Sequence, residues 1–145
     1  MTEGVDYHYI TPRIILGNDN AARKAPLLGV THVVNAASEL PNYHESKIRY
    51  LRLGLHDKDD DILKVMEPAY RYMNAVLKSP KTKILVHCYA GISRSASTVI
   101  YYLMRSQGMS YSKARALVKG KRKIIQPNEH YHSQLEFMDG VLSKL

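Results

Sequence analysis

At 145 residues and 45% hydrophobic composition, the chain is sized for one domain that buries roughly two-thirds of its unfolded surface and needs no staple. Lys and Arg outnumber Asp and Glu by 21 to 13, a formal net charge of +8 that attracts polyanions of any kind and selects none of them. No apolar stretch approaches the ~18–20 residues of a bilayer span, one cysteine rules out an internal disulfide, and residues 1–6 lack a cationic start followed by an apolar run. The expectation is a protein without a membrane span in a reducing, intracellular compartment, the cytoplasm with the nucleus left open.

No linker, repeat or low-complexity tract breaks the chain, so residues 1–145 are expected to form one domain. Strand-like and helix-like segments alternate, the pattern of an α/β fold with a central, mostly parallel sheet flanked by helices. Arg13-Ile14-Ile15-Leu16 predicts a short strand ending at the turn signal Gly17-Asn18, and residues 20–28 predict a short helix closed by Gly29. Residues 31–35, rich in β-branched side chains, and residues 48–53 predict two further strands.

An acidic stretch follows, with Asp57, Asp59, Asp60 and Asp61, and Asp61 is placed to cap a helix over residues 62–77. Its apolar residues Ile62, Met66, Ala69, Met73 and Leu77 recur at helical spacing, while Pro68 marks either a kink or the true first turn. Residues 83–86 predict a buried strand. After it, Ala96, Val99, Ile100 and Leu103 fall at i, i+3, i+4 and i+7 of a helix that ends near Gly108. Ser110 is the expected cap of a helix over residues 111–119, and Asn128 that of a last helix carrying Tyr131, Leu135, Met138 and Leu142 inward. The basic run Lys119-Gly120-Lys121-Arg122-Lys123 reads as a solvated loop, with docking of acidic or phosphorylated substrate as the alternative. His130 and His132 sit on different faces of the last helix with no cysteine or acidic cluster beside them, so no metal site is expected.

The chemistry concentrates in His87-Cys88-Tyr89-Ala90-Gly91-Ile92-Ser93-Arg94-Ser95, between the apolar run Ile84-Leu85-Val86 and the helical segment. Strand, tight small-residue loop and helix in that order converge backbone N–H groups on one point, with the positive end of the helix behind them. That is an anion cradle. Cys88 lies at its floor, where amides and a neighbouring cation favour the nucleophilic thiolate. Arg94 adds a planar fork able to grip two oxygens of a phosphate at once.

Cysteine, five residues, arginine and then a hydroxyl, with His87 in front and Gly91 in mid-loop, resembles the signature of the protein tyrosine phosphatase superfamily. The version Ala90-Gly91-Ile92-Ser93-Arg94-Ser95-Ala96 is most similar to the dual-specificity phosphatases. The likeness extends to residues 10–18, Val33-Val34-Asn35, Ile125-Gln126-Pro127-Asn128 and Gln134-Leu135. This resemblance implies hydrolysis of phosphotyrosine and phosphoserine or phosphothreonine in proteins through a cysteinyl-phosphate, without metal or organic cofactor. It implies a phosphate-binding loop of Tyr89, Ala90, Gly91, Ile92, Ser93 and Arg94, and a Ser95 hydroxyl that assists departure of the Cys88 thiolate. It implies a general-acid aspartate at Asp57, with Asp59 and Asp60 as alternatives because the loop counts one residue short from the helix side. It implies a buried His87 that orders the loop through hydrogen bonds, and Asn35 and Asn128 as loop braces, either of which is otherwise a turn or cap residue.

The short chain has no counterpart of the aromatic recognition loop that deepens the pocket of tyrosine-specific relatives, so a shallow site is expected. Tyr89, Ala90 and Ile92 stand where phosphoinositide phosphatases of the superfamily often carry lysine or extra glycine, which weighs against a lipid substrate. An RNA 5′-phosphatase is weighed against on the same loop, and nucleic acid is not the expected partner. A phosphoprotein-binding module with little turnover is the rival from another class. Such relatives commonly lose the cysteine or the arginine, and both are present here.

Overall fold

The computed structural model describes residues 5–58 and 60–145, and Asp59 lies outside the described residues. Five strands form one sheet in the order β1-β2-β5-β3-β4: β1 (Tyr7–Thr11), β2 (Ile14–Gly17), β3 (His32–Ala37), β4 (Arg49–Leu55) and β5 (Ile84–His87). Pairing is parallel throughout except where β1 runs antiparallel to β2. The sequence reading places four of these strands and misses β1, an edge strand whose alternation is weak, with half-buried or exposed residues on either side of Ile10.

The central strand β5 is buried along its whole length, as a parallel strand covered on both faces should be. Its alternate residues face different layers. Ile84 and Val86 join the large core under α2 (Leu63–Leu77), α3 (Arg94–Gln107), α4 (Tyr111–Lys121) and α5 (Glu129–Leu142). Leu85 joins a smaller cluster on the opposite face, beneath α1 (Asp19–Arg23) and a 3-10 turn, Ala25–Leu28. The single helix expected over residues 20–28 is thus two pieces, broken at Lys24 where Pro26 begins the tighter turn, and Gly29 closes it at φ 72°.

Helix α2 continues through Pro68, so the proline marks neither its first turn nor its end. Ile62, Met66, Ala69 and Met73 are buried, as their spacing predicts. Asp61 accepts from the Leu63 amide at 3.0 Å but is not the expected cap, since α2 begins at Leu63 and Ile62, one position later, holds the cap position. Ser110 and Asn128 cap α4 and α5 through their side chains, accepting from Lys113 N and Tyr131 N. No helix of the described residues is long and apolar enough to cross a membrane. The architecture brings the end of β5 to the middle of the sheet's carboxyl edge, where parallel α/β sheets place their ligands.

Candidate active site

Leaving β5, the chain turns through residues 88–93 and enters α3 at Arg94. The turn is made possible by Gly91 at φ 68°, where a Cβ would also lie 2.7 Å from the Gly17 carbonyl oxygen and 2.8 Å from Arg122 Nη2. What shapes the loop is the fate of its carbonyls. Tyr89 O accepts from Asp19 N at 2.9 Å, Ala90 O from Arg122 Nη2 at 3.3 Å, Gly91 O from Arg122 Nε at 2.9 Å and Ile92 O from Gln126 N at 2.8 Å. Four successive carbonyls are therefore tied to groups outside the loop. The amides of residues 89–93 donate to nothing among the described residues. Peptide planes whose oxygens face outward turn their N–H groups inward, which is the anion nest expected at this point.

Cys88 is 2% exposed and its Sγ lies 3.0 Å from Ser95 Oγ, so the hydroxyl one residue past the arginine does reach the thiol. Arg94, 4% exposed, donates Nη1 and Nη2 to the two carboxylate oxygens of Glu39 at 2.6 and 2.8 Å, and Nη1 also to Leu55 O at 3.0 Å. Its Nε is buried with no partner. Of the fork's two edges, one is held by Glu39 and the other retains an unpaired donor. Bonding to Arg94 holds the Glu39 carboxyl down to about 2.

Glu39 was not legible in the sequence, an exposed glutamate in the β3–β4 connection with no motif around it. Asn35 explains how it is delivered. Its Nδ2 donates to Leu40 O at 2.9 Å and Asn42 Oδ1 at 3.0 Å, and its Oδ1 accepts from Ala37 N at 3.0 Å. Asn35 therefore braces, through its side-chain hydrogen bonds, the connection that carries Glu39, while its backbone lies beside His87 in the sheet.

The acidic connection after β4 is held by one edge of α5. Tyr131 Oη donates to His56 O, Asn128 Nδ2 to Asp57 O at 3.3 Å, and Gln134 Nε2 to Asp60 O at 2.9 Å while its Oε1 accepts from Ile62 N at 2.7 Å. Asn128 is also tied to the phosphate loop, its backbone amide donating to Ser93 Oγ at 3.0 Å. It is both helix cap and loop brace. The outcome for the carboxylates is a separation of roles. Asp57 lines a cavity of about 260 Å3 together with Cys88, Arg94, Glu39 and loop residues Tyr89, Ala90, Ile92 and Ser93. Asp60 turns back on its own connection, accepting from His56 N and lying 3.2 Å from His56 Nδ1.

Two expectations are corrected. His87 is fully buried, yet neither ring nitrogen has a well-formed hydrogen-bond partner among the described residues, so it packs behind Cys88 and does not order the loop through hydrogen bonds. Burial pushes its imidazole down to about 4 and keeps it neutral. The basic run is not wholly a solvated loop either. Arg122 is 1% exposed and donates to Gly91 O, Ala90 O, Val5 O (3.0 Å) and His8 Nδ1 (2.9 Å). Arginine is donor only, so His8 carries its proton on Nε2. Nothing in the sequence separates Arg122 from the lysines beside it, because its partners lie up to 117 residues away. His132 meets Tyr111 Oη at 2.6 Å, a contact that pins α5 to α4, and lies 2.9 Å from Glu136 Oε1 one turn along its own helix.

Residues 14–139 match the family model for the catalytic domain of dual specificity phosphatases. Among curated proteins, the chain is 34% identical over 118 residues to the protein phosphatase Slingshot of Drosophila melanogaster, covering 81% of this chain and 11% of that one. It is 37% identical over 139 residues to human dual specificity protein phosphatase 4, covering 92% of this chain and 35% of that one. These relatives are thus much longer than the segment they share with it. Among solved structures, human DUSP28 superposes with a TM-score of 0.87 at 30% identity, covering 96% of each chain.

Proposed function

The chain belongs to the dual specificity phosphatase family, and from that membership we propose that it hydrolyses phosphate monoesters on proteins in two steps through a cysteinyl-phosphate. The supporting observation is a thiol at the floor of a cavity walled by loop amides that donate to nothing among the described residues, a buried guanidinium with an unpaired donor and two carboxylates, Asp57 and the Glu39 that holds Arg94. In the first step the Cys88 thiolate attacks phosphorus in line, the S–P bond forms and the P–O bond to the side chain breaks. Asp57 delivers its proton to the departing oxygen. Arg94 Nε and the loop amides take the charge gathering on the equatorial oxygens.

In the second step water attacks phosphorus, Asp57 accepts its proton, and the S–P bond breaks to return the thiolate and release inorganic phosphate. The Ser95 hydroxyl, 3.0 Å from Sγ, donates to the leaving sulfur. Substrate breadth follows from a shallow mouth. Tyr89 is 63% exposed and Ala90 is exposed, so the rim admits phosphotyrosine and the shorter phosphoserine and phosphothreonine. A sole cysteine that must remain reduced to act fits signalling work in the cytoplasm.

The test is Cys88→Ser. The serine variant should fold as the parent does and lose several orders of magnitude in kcat, and rapid quench of the parent with 32P-labelled substrate should trap an acid-stable phosphate on Cys88. A serine variant with substantial turnover, or a parent from which no phosphoenzyme can be trapped during a burst, removes the mechanism.

A further inference from the structure

The groove between α4 and α5 carries a charge pattern that the proposed reaction leaves unused. It has a volume of about 620 Å3 and is lined by Arg115 and Lys119 of α4, Lys123 just beyond that helix, and His132 and Glu136 of α5. Arg115 and Lys119 stand i, i+4, where like charges repel, yet none of the three cations forms an ion pair with a carboxylate among the described residues. Arg23, Arg71, Arg94 and Arg105 each do.

Arg115 donates Nη2 to Gln126 Oε1 at 3.3 Å, and its Nε is buried without a partner. Lys119 donates to the carbonyls of Lys123 and Ile125 at 3.0 and 3.1 Å, which fixes the ammonium at the groove with a proton to spare. The groove's single carboxylate, Glu136, lies 2.9 Å from His132 Nε2. The groove also adjoins the catalytic loop, because Gln126, held by Arg115, donates its own amide to Ile92 O at 2.8 Å.

We propose that this groove binds an acidic segment of the polypeptide substrate in extended conformation, with carboxylate or phosphorylated side chains at alternate positions. The proposal rests on the phosphatase reading above and names the substrate class of that site. The spacing carries it: one helical turn from Arg115 to Lys119 advances about 6 Å, and two residues of extended chain advance ~6.6 Å. Two alternate side chains of a strand laid along α4 therefore meet Arg115 and Lys119, and Lys123 stands just past the helix end. A polypeptide is favoured over a nucleic acid because the groove's phenol ring, Tyr111, is 4% exposed and its imidazole, His132, is held edge-on to that ring between Tyr111 Oη and Glu136, which leaves no platform for successive bases.

The experiment compares phosphotyrosyl peptides that differ only in a flanking Glu-Xaa-Glu-Xaa-Glu tract or its neutral Gln counterpart, with p-nitrophenyl phosphate as a substrate too small to reach the groove. The acidic tract should lower KM about tenfold at unchanged kcat, and the advantage should shrink as salt shortens the Debye length to ~8 Å and below. The variant Lys123→Glu, whose side chain holds no part of the catalytic loop, should lose most of that advantage and keep its kcat/KM on p-nitrophenyl phosphate. Equal preference for the acidic peptide in parent and variant overturns the proposal, as does tighter competition by an RNA oligonucleotide or by anionic vesicles than by the unphosphorylated acidic peptide. If p-nitrophenyl phosphate itself is not hydrolysed, the phosphatase reading fails separately. The groove is then judged by fluorescence anisotropy of the unphosphorylated acidic peptide, where equal binding to parent and variant overturns it.

Discussion

Replacing Arg122 by methionine should damage catalysis without touching a catalytic residue. The substitution deletes four hydrogen bonds from a side chain that is 1% exposed. Each carbonyl left dry costs ~1–3 kcal/mol, and three are involved, those of Val5, Ala90 and Gly91. Against this, a buried charge without a carboxylate partner no longer has to be desolvated, so the net loss should be about 3–5 kcal/mol. For a domain of this size that lowers Tm by roughly 10 °C, at ~2–4 °C per kcal/mol.

Activity should fall further than stability alone explains. With their oxygens released, the peptides at Ala90 and Gly91 can rotate and turn an amide out of the cavity, and one lost donor of this kind costs ~10²–10³ in kcat. Arg122→Lys keeps the charge but can serve only part of the four acceptors, and should fall between methionine and the parent in both measures. The assays are thermal melting by circular dichroism and steady-state hydrolysis of p-nitrophenyl phosphate at a temperature where all three proteins are folded. A folded methionine variant within threefold of the parent kcat/KM would refute the idea that outward-held carbonyls organise the loop.

Asp57→Asn should slow alkyl phosphates such as phosphothreonine strongly and an aryl phosphate with an acidic phenol much less, because only the former needs its leaving oxygen protonated; steady-state kinetics over a leaving-group series reads this. The same dependence in Asp60→Asn with none in Asp57→Asn would move the general acid along the connection. His87 titrates near 4 in the folded state against an ordinary value of 6.5, so between those values the unfolded chain binds the extra proton and stability falls as pH is lowered. The loss amounts to about 3 kcal/mol by pH 4, and urea unfolding of His87→Gln should show a correspondingly flatter dependence over that window.

What the sequence disclosed and withheld divides along the range of the interactions. The phosphate loop, its strand and its helix lie within one contiguous stretch, and helices α2 to α5 announce themselves by apolar spacing and by Ser110 and Asn128 at their starts. These are local signals. Glu39 and Arg122 act across 55 and 31 residues respectively, on partners chosen by the tertiary fold, and no neighbour in sequence distinguishes them from surface charges. The register of the acidic connection was ambiguous for a related reason. It is set by Asn128, Tyr131 and Gln134, which lie on a helix more than 70 residues further on, so counting from either flanking element could not fix it. The resemblance implies a His87 both buried and hydrogen-bonded to the loop, and the fold supplies the burial while neither ring nitrogen finds a well-formed partner among the described residues.

The two buried guanidiniums divide the electrostatic work of the site. Arg94 is balanced by Glu39, whose side chain is 49% exposed, so the pair holds the fork in place while its buried Nε keeps an unpaired donor. Arg122 is satisfied by neutral acceptors alone, three carbonyls and an imidazole, and its positive charge is unmatched by any carboxylate contact. A buried charge in that state is costly unless something nearby supplies the opposite sign. Across the loop from it stand the Cys88 sulfur and the nest of free amides, where a thiolate and then a phosphoryl dianion would provide that sign. Arg122 thus serves the loop twice, by turning its carbonyls outward and by making the interior a place where anionic charge is compensated. A neutral side chain of the same shape could at best fill the space, and a lysine could at best restore the charge.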